Sequence, residues 1–180
     1  LSIRRQRQMC IRDRGERELR EAICSYLGRH RGVVCTPEHI VVGAGVQSLL
    51  HILCPMVRDR KNAYFYNPGF RQGRTIFEDF EFRTGGMRSA REAGGPDSGS
   101  ICYLTPSQMT VWGEVMHITE RMDLLKEAFE KDILIIEDDY NSEFRYYNRP
   151  TPSLQGLAGG RGVVYLGTFS RLLLPSIRML

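Results

Sequence analysis

Three scarcities in this chain of 180 residues each remove a class of function. No apolar run approaches the roughly 18 residues that a bilayer span requires. The opening residues are basic and polar where a secretory leader would be apolar. A cytoplasmic protein with no membrane partner is the reading that follows. The five cysteines (Cys10, Cys24, Cys35, Cys54, Cys102) are scattered, odd in number and form no C-x-x-C pair. With four equally scattered histidines they suggest neither a disulfide framework nor a metal cluster, so no metal is expected. The thiols are read as reduced and mostly buried. A basic face is also lacking. The formal charge is +4, but residues 1–14 hold five arginines and one acid, which leaves 20 basic and 20 acidic residues elsewhere. The run "RRQRQMCIRDR" is either a phosphate-binding arm or an appendage foreign to the fold. The second is preferred, and residues 1–14 are set aside as a non-native arm or artefact.

What is present is an alternation of apolar runs and helical periodicity. Leu19, Ala22, Ile23, Tyr26 and Leu27 recur at the spacing of one helix face, beginning at Glu16. The run Ile40–Val42 is read as a short strand leading into "GAGVQ", followed by the apolar segment "SLLHILCPMV", in which Pro55 ends or kinks a helix. Strands are expected at Ala63–Tyr66, Ile101–Thr105, Ile133–Ile136 and Val163–Leu166. Residues 84–100 have the composition of a surface loop. Residues Ile118–Asp132 are expected to form an amphipathic helix with Met122, Leu125 and Phe129 on one side. Strands read as continuous apolar runs between helices indicate an α/β protein with a mostly parallel sheet. No internal repeat or linker divides the chain.

Ligands of such sheets bind beyond the carboxyl ends of strands, so the residues that follow each run are the candidates. "GAGVQ" after Val42 offers backbone N–H groups at a helix start, either for an anion or simply for a tight turn. "NPGF" after Tyr66 places Phe70 to stack on a planar ligand or to join the core. "EDDYNSEFRY" after Ile136 puts three acids in a row, which is costly unless they are solvated or partnered. A metal site lacks histidine or cysteine support there. The remaining readings are a carboxylate pairing with a protonated ring nitrogen beside a donating tyrosine, and a solvated loop. "GTFSR" after Leu166 offers the hydroxyls of Thr168 and Ser170, with the donor fork of Arg178 nearby. Two of these four strand ends could bind one phosphate.

In order and spacing, "IVVGAGVQSLL", "YNPGF", "YLTPS", "LIIEDDYNSEFRYYNRPTPSLQGL" and "VVYLGTFSRLLLPSIR" resemble the aminotransferase-like domain of MocR-type regulators of the GntR family, relatives of class I/II pyridoxal-phosphate aminotransferases. The resemblance covers residues 15–180. It implies an incomplete fold-type I large domain, three-layered with a mostly parallel sheet, and pyridoxal 5'-phosphate as cofactor. Ala44, Gly45 and Val46 would lie at its phosphate, completed by Thr168, Ser170 and Arg178. Phe70 would stack on the pyridine ring. Asp138 would pair with the ring nitrogen and Tyr140 with the phenolic oxygen. An amino acid or amine would be effector or substrate, and the full-length parent would be a homodimer. DNA would be met only through an N-terminal winged-helix domain, which this fragment is expected to lack together with a small C-terminal domain.

Two departures bear on chemistry. The family's Schiff-base lysine falls at Arg171, and a guanidinium stays protonated, so it is not expected to form the imine. Cofactor would be held non-covalently at best. Val111 and Trp112 replace the expected proline and small residue near the cofactor. The resemblance implies effector sensing in a regulator. The alternatives are a fragment of a stand-alone aminotransferase that moves an amino group from an amino acid to a 2-oxo acid, and an inactive fragment.

Overall fold

The computed structural model describes residues 14–66, 70–87, 95–110, 113–140 and 151–169. Five parallel strands form one sheet in the order β2-β1-β3-β4-β5: β1 is Asn62–Tyr66, β2 Arg83–Met87, β3 Ile101–Leu104, β4 Leu134–Asp139 and β5 Val163–Gly167. Helices α1 (Arg17–Arg31), α2 (Val46–Met56), α3 (Arg71–Asp79), α4 (Ile118–Glu130) and the short α5 (Leu154–Leu157) complete the described elements, with a 3-10 turn at Pro37–His39. Strand alternation separates two cores. Phe65, Tyr103 and Ile136 meet α2 and α3 through Leu50, Cys54, Ile76 and Phe77. Cys102, Leu104 and Ile135 meet α4 and α5 through Leu124, Ala128 and Leu154. The α/β expectation therefore holds, with helices on both faces of the sheet.

The strand order sets the position of a binding crevice. From β1 the chain crosses by α3 to the outer strand β2, on one face; from β3 it crosses by α4 to β4, on the other. The connections leaving β1 and β3 thus diverge to opposite faces, and a crevice opens beyond their carboxyl ends. Phe70 and the turn after Leu104 lie there.

Five sequence expectations are corrected. Within residues 84–100, expected to be a surface loop, residues 84–87 belong to the edge strand β2, with Gly85 beside Tyr64. A Cβ on Gly85 would meet the Tyr64 ring at 2.9 Å, so the glycine that suggested a loop is instead a requirement of close strand contact. Farther along the same stretch, Asp97 accepts bonds from Asn62 Nδ2 (3.0 Å) and Tyr64 Oη (2.7 Å). Ile40–Val42 is not a strand of the described sheet; Val42 N–H bonds Arg14 O at 3.0 Å. The acids after Ile136 continue β4 and are buried, so the solvated-loop reading fails. The inner side of α4 is Arg121, Leu124 and Ala128, whereas Met122 and Phe129 are 51% and 81% exposed. On α1, Ile23 is buried as expected but Ala22 is exposed.

The α4 assignment turns on Arg121, which is wholly buried. It donates to the carbonyls of Met116 (3.1 Å), Pro152 (2.9 Å) and Pro106 (3.1 Å). With its donors occupied, a guanidinium can take the core position and rotate the apolar residues outward. Leu124→Ala is accordingly expected to cost about 2–5 kcal/mol in urea unfolding, and Phe129→Ser to stay within about 0.5 kcal/mol. Equal losses would show that Phe129 is on the packed side.

Candidate functional site

Alternation along β4 sends Glu137 and Asp139 to one face and Asp138 to the other. Each carboxylate meets a different partner. Glu137 accepts the N–H groups of Leu154 (3.0 Å) and Gln155 (3.1 Å) at the start of α5, with Arg121 Nη1 3.8 Å away. Burial pushes Glu137 up to about 7, against the pull of those two amides and of Arg121 and with a further push from Asp139.

Asp139 is the anchor of a buried network. Arg31 contacts its Oδ2 with Nε at 2.7 Å and Nη2 at 2.5 Å, and both side chains are almost wholly excluded from solvent. Ser107 Oγ donates to Oδ1 at 2.5 Å and Tyr165 Oη to Oδ2 at 2.8 Å. Arg31 also donates to Thr151 O at 3.0 Å. Burial disfavours the Arg31 charge, but Asp139 and Tyr165 outweigh it and raise its pKa. Burial and then Asp139 push Tyr165 well up, so it stays a neutral phenol. This network joins the end of α1, the turn after β3, β4 and β5.

Asp138 shares its face with Tyr103, which is 2% exposed and donates its phenol to Asp138 Oδ2 at 2.5 Å. Among the described residues no cation pairs with Asp138. Burial pushes it up to about 6, Tyr103 pulls it down and Asp139 pushes it further up. The Phe70 ring, at the start of α3, lies 6.2 Å from that of Tyr103 at 27°. Tyr103 therefore joins two of the candidates, Phe70 and Asp138. Tyr140 follows β4 directly, half-buried. Gly45, at φ 137°, starts α2 with no side-chain cap; Ala44 is exposed and Val46 is half-buried. The uncapped N–H groups of this first turn suit an anion. Thr168 follows β5, and with Leu49 of the α2 first turn it lines a cavity of about 570 Å³. That cavity is apolar, walled by α1, α2 and β5; it reaches Asp139 but not Asp138 or Phe70. Ser170, Arg171, Arg178, Val111 and Trp112 lie outside the described residues.

Tyr103, Ser107, Arg31 and Tyr165 were not singled out in the sequence. Period-two alternation could have placed Asp138 opposite the other two acids. No local signal relates Arg31 to a carboxylate 108 positions away.

Two outcomes follow. Arg31→Met strands a buried carboxylate and is expected to cost about 3–5 kcal/mol. Adding Asp139→Asn should recover part of that loss, and urea midpoints of the two variants would reveal no recovery if the pair were unimportant. Tyr103→Phe removes the donor that favours the Asp138 carboxylate, so Asp138 should titrate above about 6. The carboxyl 13C shift against pH measures this, and an unchanged midpoint would deny the coupling.

No family model matches the chain. It is 41% identical over 177 residues to the uncharacterised HTH-type transcriptional regulator YdeL of Bacillus subtilis, covering 92% of this chain and 37% of that protein. It is 33% identical over 171 residues to the "probable rhizopine catabolism regulatory protein MocR" of Rhizobium meliloti, covering 92% and 35%. The chain thus spans little more than a third of the length of these curated relatives. Among solved structures it is similar to an archaeal alanine:glyoxylate aminotransferase, with a TM-score of 0.78 and 26% identity over 93% of this chain and 45% of that one. It is also similar to LysN, the α-aminoadipate aminotransferase of Thermus thermophilus, complexed with N-(5'-phosphopyridoxyl)-L-leucine. There the TM-score is 0.75 and the identity 25%, over 92% and 44%. With an aminotransferase fold and homology over nine-tenths of its length to HTH-type regulators, the chain belongs to the MocR-type regulators of the GntR family, as their aminotransferase-like region.

Proposed function

We propose that this region binds pyridoxal 5'-phosphate without a covalent bond and serves a regulator as its sensor of an amino acid or amine. The observation that carries the reading is Asp138, a buried carboxylate at a strand's carboxyl end with a neutral phenol as its partner. Asp139, one residue on, has an arginine. A carboxylate so placed fits a protonated ring nitrogen, whose charge would offset the burial that raises its pKa. When bound, the cofactor would supply an electron-withdrawing ring to an attached amine. The chain's own residues bind and orient. Asp138 holds the proton on the ring nitrogen, kept in place by Tyr103. Tyr140 donates to the phenolic oxygen, and Phe70 covers one ring face. Ala44, Gly45 and Val46 offer N–H groups to the phosphate, joined by Thr168, Ser170 and Arg178.

Covalent attachment has no amine to serve it. Besides the arginine at position 171, the chain has three lysines. Lys61 and Lys131 precede β1 and β4, at the opposite end of the sheet from Asp138, and Lys126 lies in α4. In this reading residues 15–180 are part of a large domain. The full-length parent is a cytoplasmic homodimer that meets DNA through a separate winged-helix domain.

Titration of the full chain with pyridoxal 5'-phosphate, followed by cofactor absorbance, tests the proposal. Asp138→Asn should weaken binding by roughly 10- to 100-fold, the loss of one charge-assisted bond. Borohydride should fix no cofactor to the unchanged chain and should fix it at residue 171 in Arg171→Lys. Absence of saturable binding, or equal binding by Asp138→Asn, would overturn the reading.

A further inference from the structure

Cys24 lies in α1, and Cys35 lies in the extended stretch that follows Gly32, the left-handed residue ending that helix. Their Sγ atoms are 3.6 Å apart, and both residues are half-buried, whereas Cys54 and Cys102 are wholly enclosed. The Cys24 thiol is 3.2 Å from Cys35 O, and the Cys35 thiol is directed at the Cys24 sulfur. Burial and the neighbouring thiol push Cys35 up to about 11, so it keeps its proton. Two thiols in van der Waals contact on one chain, next to solvent, are the arrangement from which a disulfide forms with little movement. An S–S bond of about 2.0 Å requires the sulfurs to close by about 1.5 Å. The segment carrying Cys35 belongs to no helix or strand, so a side-chain rotation with a small backbone shift suffices.

We propose that Cys24 and Cys35 are a reversible thiol–disulfide pair that a peroxide oxidises, with Cys24 attacking and Cys35 resolving. The roles follow from the direction of the contact, because the Cys35 S–H points at the Cys24 sulfur and so sets the Cys35 sulfur beside the atom it would attack. The Cys24 thiolate attacks one peroxide oxygen. An S–O bond forms and the O–O bond breaks; the sulfur is oxidised to a sulfenic acid and the peroxide is reduced, leaving as hydroxide that takes up the proton Cys24 released. The Cys35 sulfur then attacks the Cys24 sulfur. The S–S bond forms, the S–O bond breaks, and the Cys35 proton leaves with that oxygen as water. Two thiols and one hydrogen peroxide thus give one disulfide and two waters. A dithiol reverses the reaction by exchange.

The bond would act on the cavity wall. Cys35 and Val34 line the cavity that reaches Thr168, and Val34 is already held by Gln155, with Val34 N–H to Oε1 at 2.8 Å and Nε2–H to Val34 O at 2.7 Å. Oxidation would staple the free end of that wall to α1, and the shortened loop constrains the unfolded chain. The oxidised protein should therefore melt at a higher temperature than the reduced one.

The experiment needs no substitution. The full chain is treated with hydrogen peroxide, remaining thiols are alkylated, and the protein is digested without reduction. Cleavage at Arg29, Arg31 and Glu38 places Cys24, Cys35 and Cys54 on separate peptides. The expected result is a cross-linked species joining the Cys24 and Cys35 peptides, lighter by two hydrogens than their sum and absent after dithiothreitol, with Cys54 and Cys102 recovered as alkylated thiols. In Cys35→Ser, Cys24 should accumulate as a sulfenic acid that dimedone traps; in Cys24→Ser, Cys35 should stay reduced. The proposal is overturned if both cysteines remain fully alkylatable after peroxide, if either is found linked instead to Cys10 or to a second chain, or if Cys35 is the residue that dimedone labels.

Discussion

The fold depends on burying three consecutive carboxylates at the end of one strand. A polyanionic stretch in a sheet core is unfavourable unless each charge is neutralised or hydrogen-bonded. Two of the three needs are met by elements that would otherwise have no fixed place. Glu137 takes the first amides of α5 and lies near Arg121, and Arg121 in turn gathers the carbonyls of Met116, Pro106 and Pro152. Asp139 takes Arg31 from the last turn of α1 and Ser107 from the turn after β3. The seating is close: Ser153 N–H bonds Arg31 O at 3.0 Å, and a Cβ on Gly156 would lie 2.3 Å from Gly32 O. The acids that look like a liability are the points to which α1, α4 and α5 are tied.

The third need is met differently, and the proposed function draws on that difference. Asp138 points to the other face, toward the crevice where the connections from β1 and β3 diverge. A single phenol is weaker compensation than a guanidinium, and the carboxylate stays biased toward its protonated form. A group that brings its own positive charge removes that bias, and the relief adds to its binding free energy. Tyr103 has a second part in this, because its ring also packs between Phe65 at 5.2 Å and Phe70 at 6.2 Å. The same side chain thus fixes the carboxylate and carries the residue proposed to cover the ring face.

The sheet was legible because β1, β3, β4 and β5 are written as apolar runs, and a buried strand needs little else. What escaped was whatever depends on distant partners. β4 runs three residues past its apolar segment because Arg31, Arg121 and α5 make its acids tolerable, and nothing near residue 137 announces them. β2 was hidden by Gly85 and Gly86, the first of which lacks a side chain where β2 packs closely against Tyr64 of β1. The inner side of α4 is not the one its apolar residues mark, because hydrophobic periodicity assumes that arginine faces water. Arg121 is inside because carbonyls at the ends of three segments need a donor. At the site, the resemblance gave residue identities, and the structure brings Phe70 and Asp138 together through a tyrosine that the resemblance did not single out.

Binding and covalent chemistry are separable in a site of this kind. In the proposed site, ring nitrogen, ring face and phosphate would each be addressed by groups that need no particular residue at position 171. A guanidinium there would keep a positive charge while forgoing a neutral nucleophilic amine, which in the proposed site would preserve attraction for an anionic cofactor and withdraw the covalent step. An enzyme would lose its turnover by that exchange. A sensor loses less, because its output is a difference in binding free energy between effector-bound and effector-free states, and a non-covalent cofactor can still supply that difference. On the proposed function, the energetics of Asp138 therefore matter whether or not an amine stands at position 171.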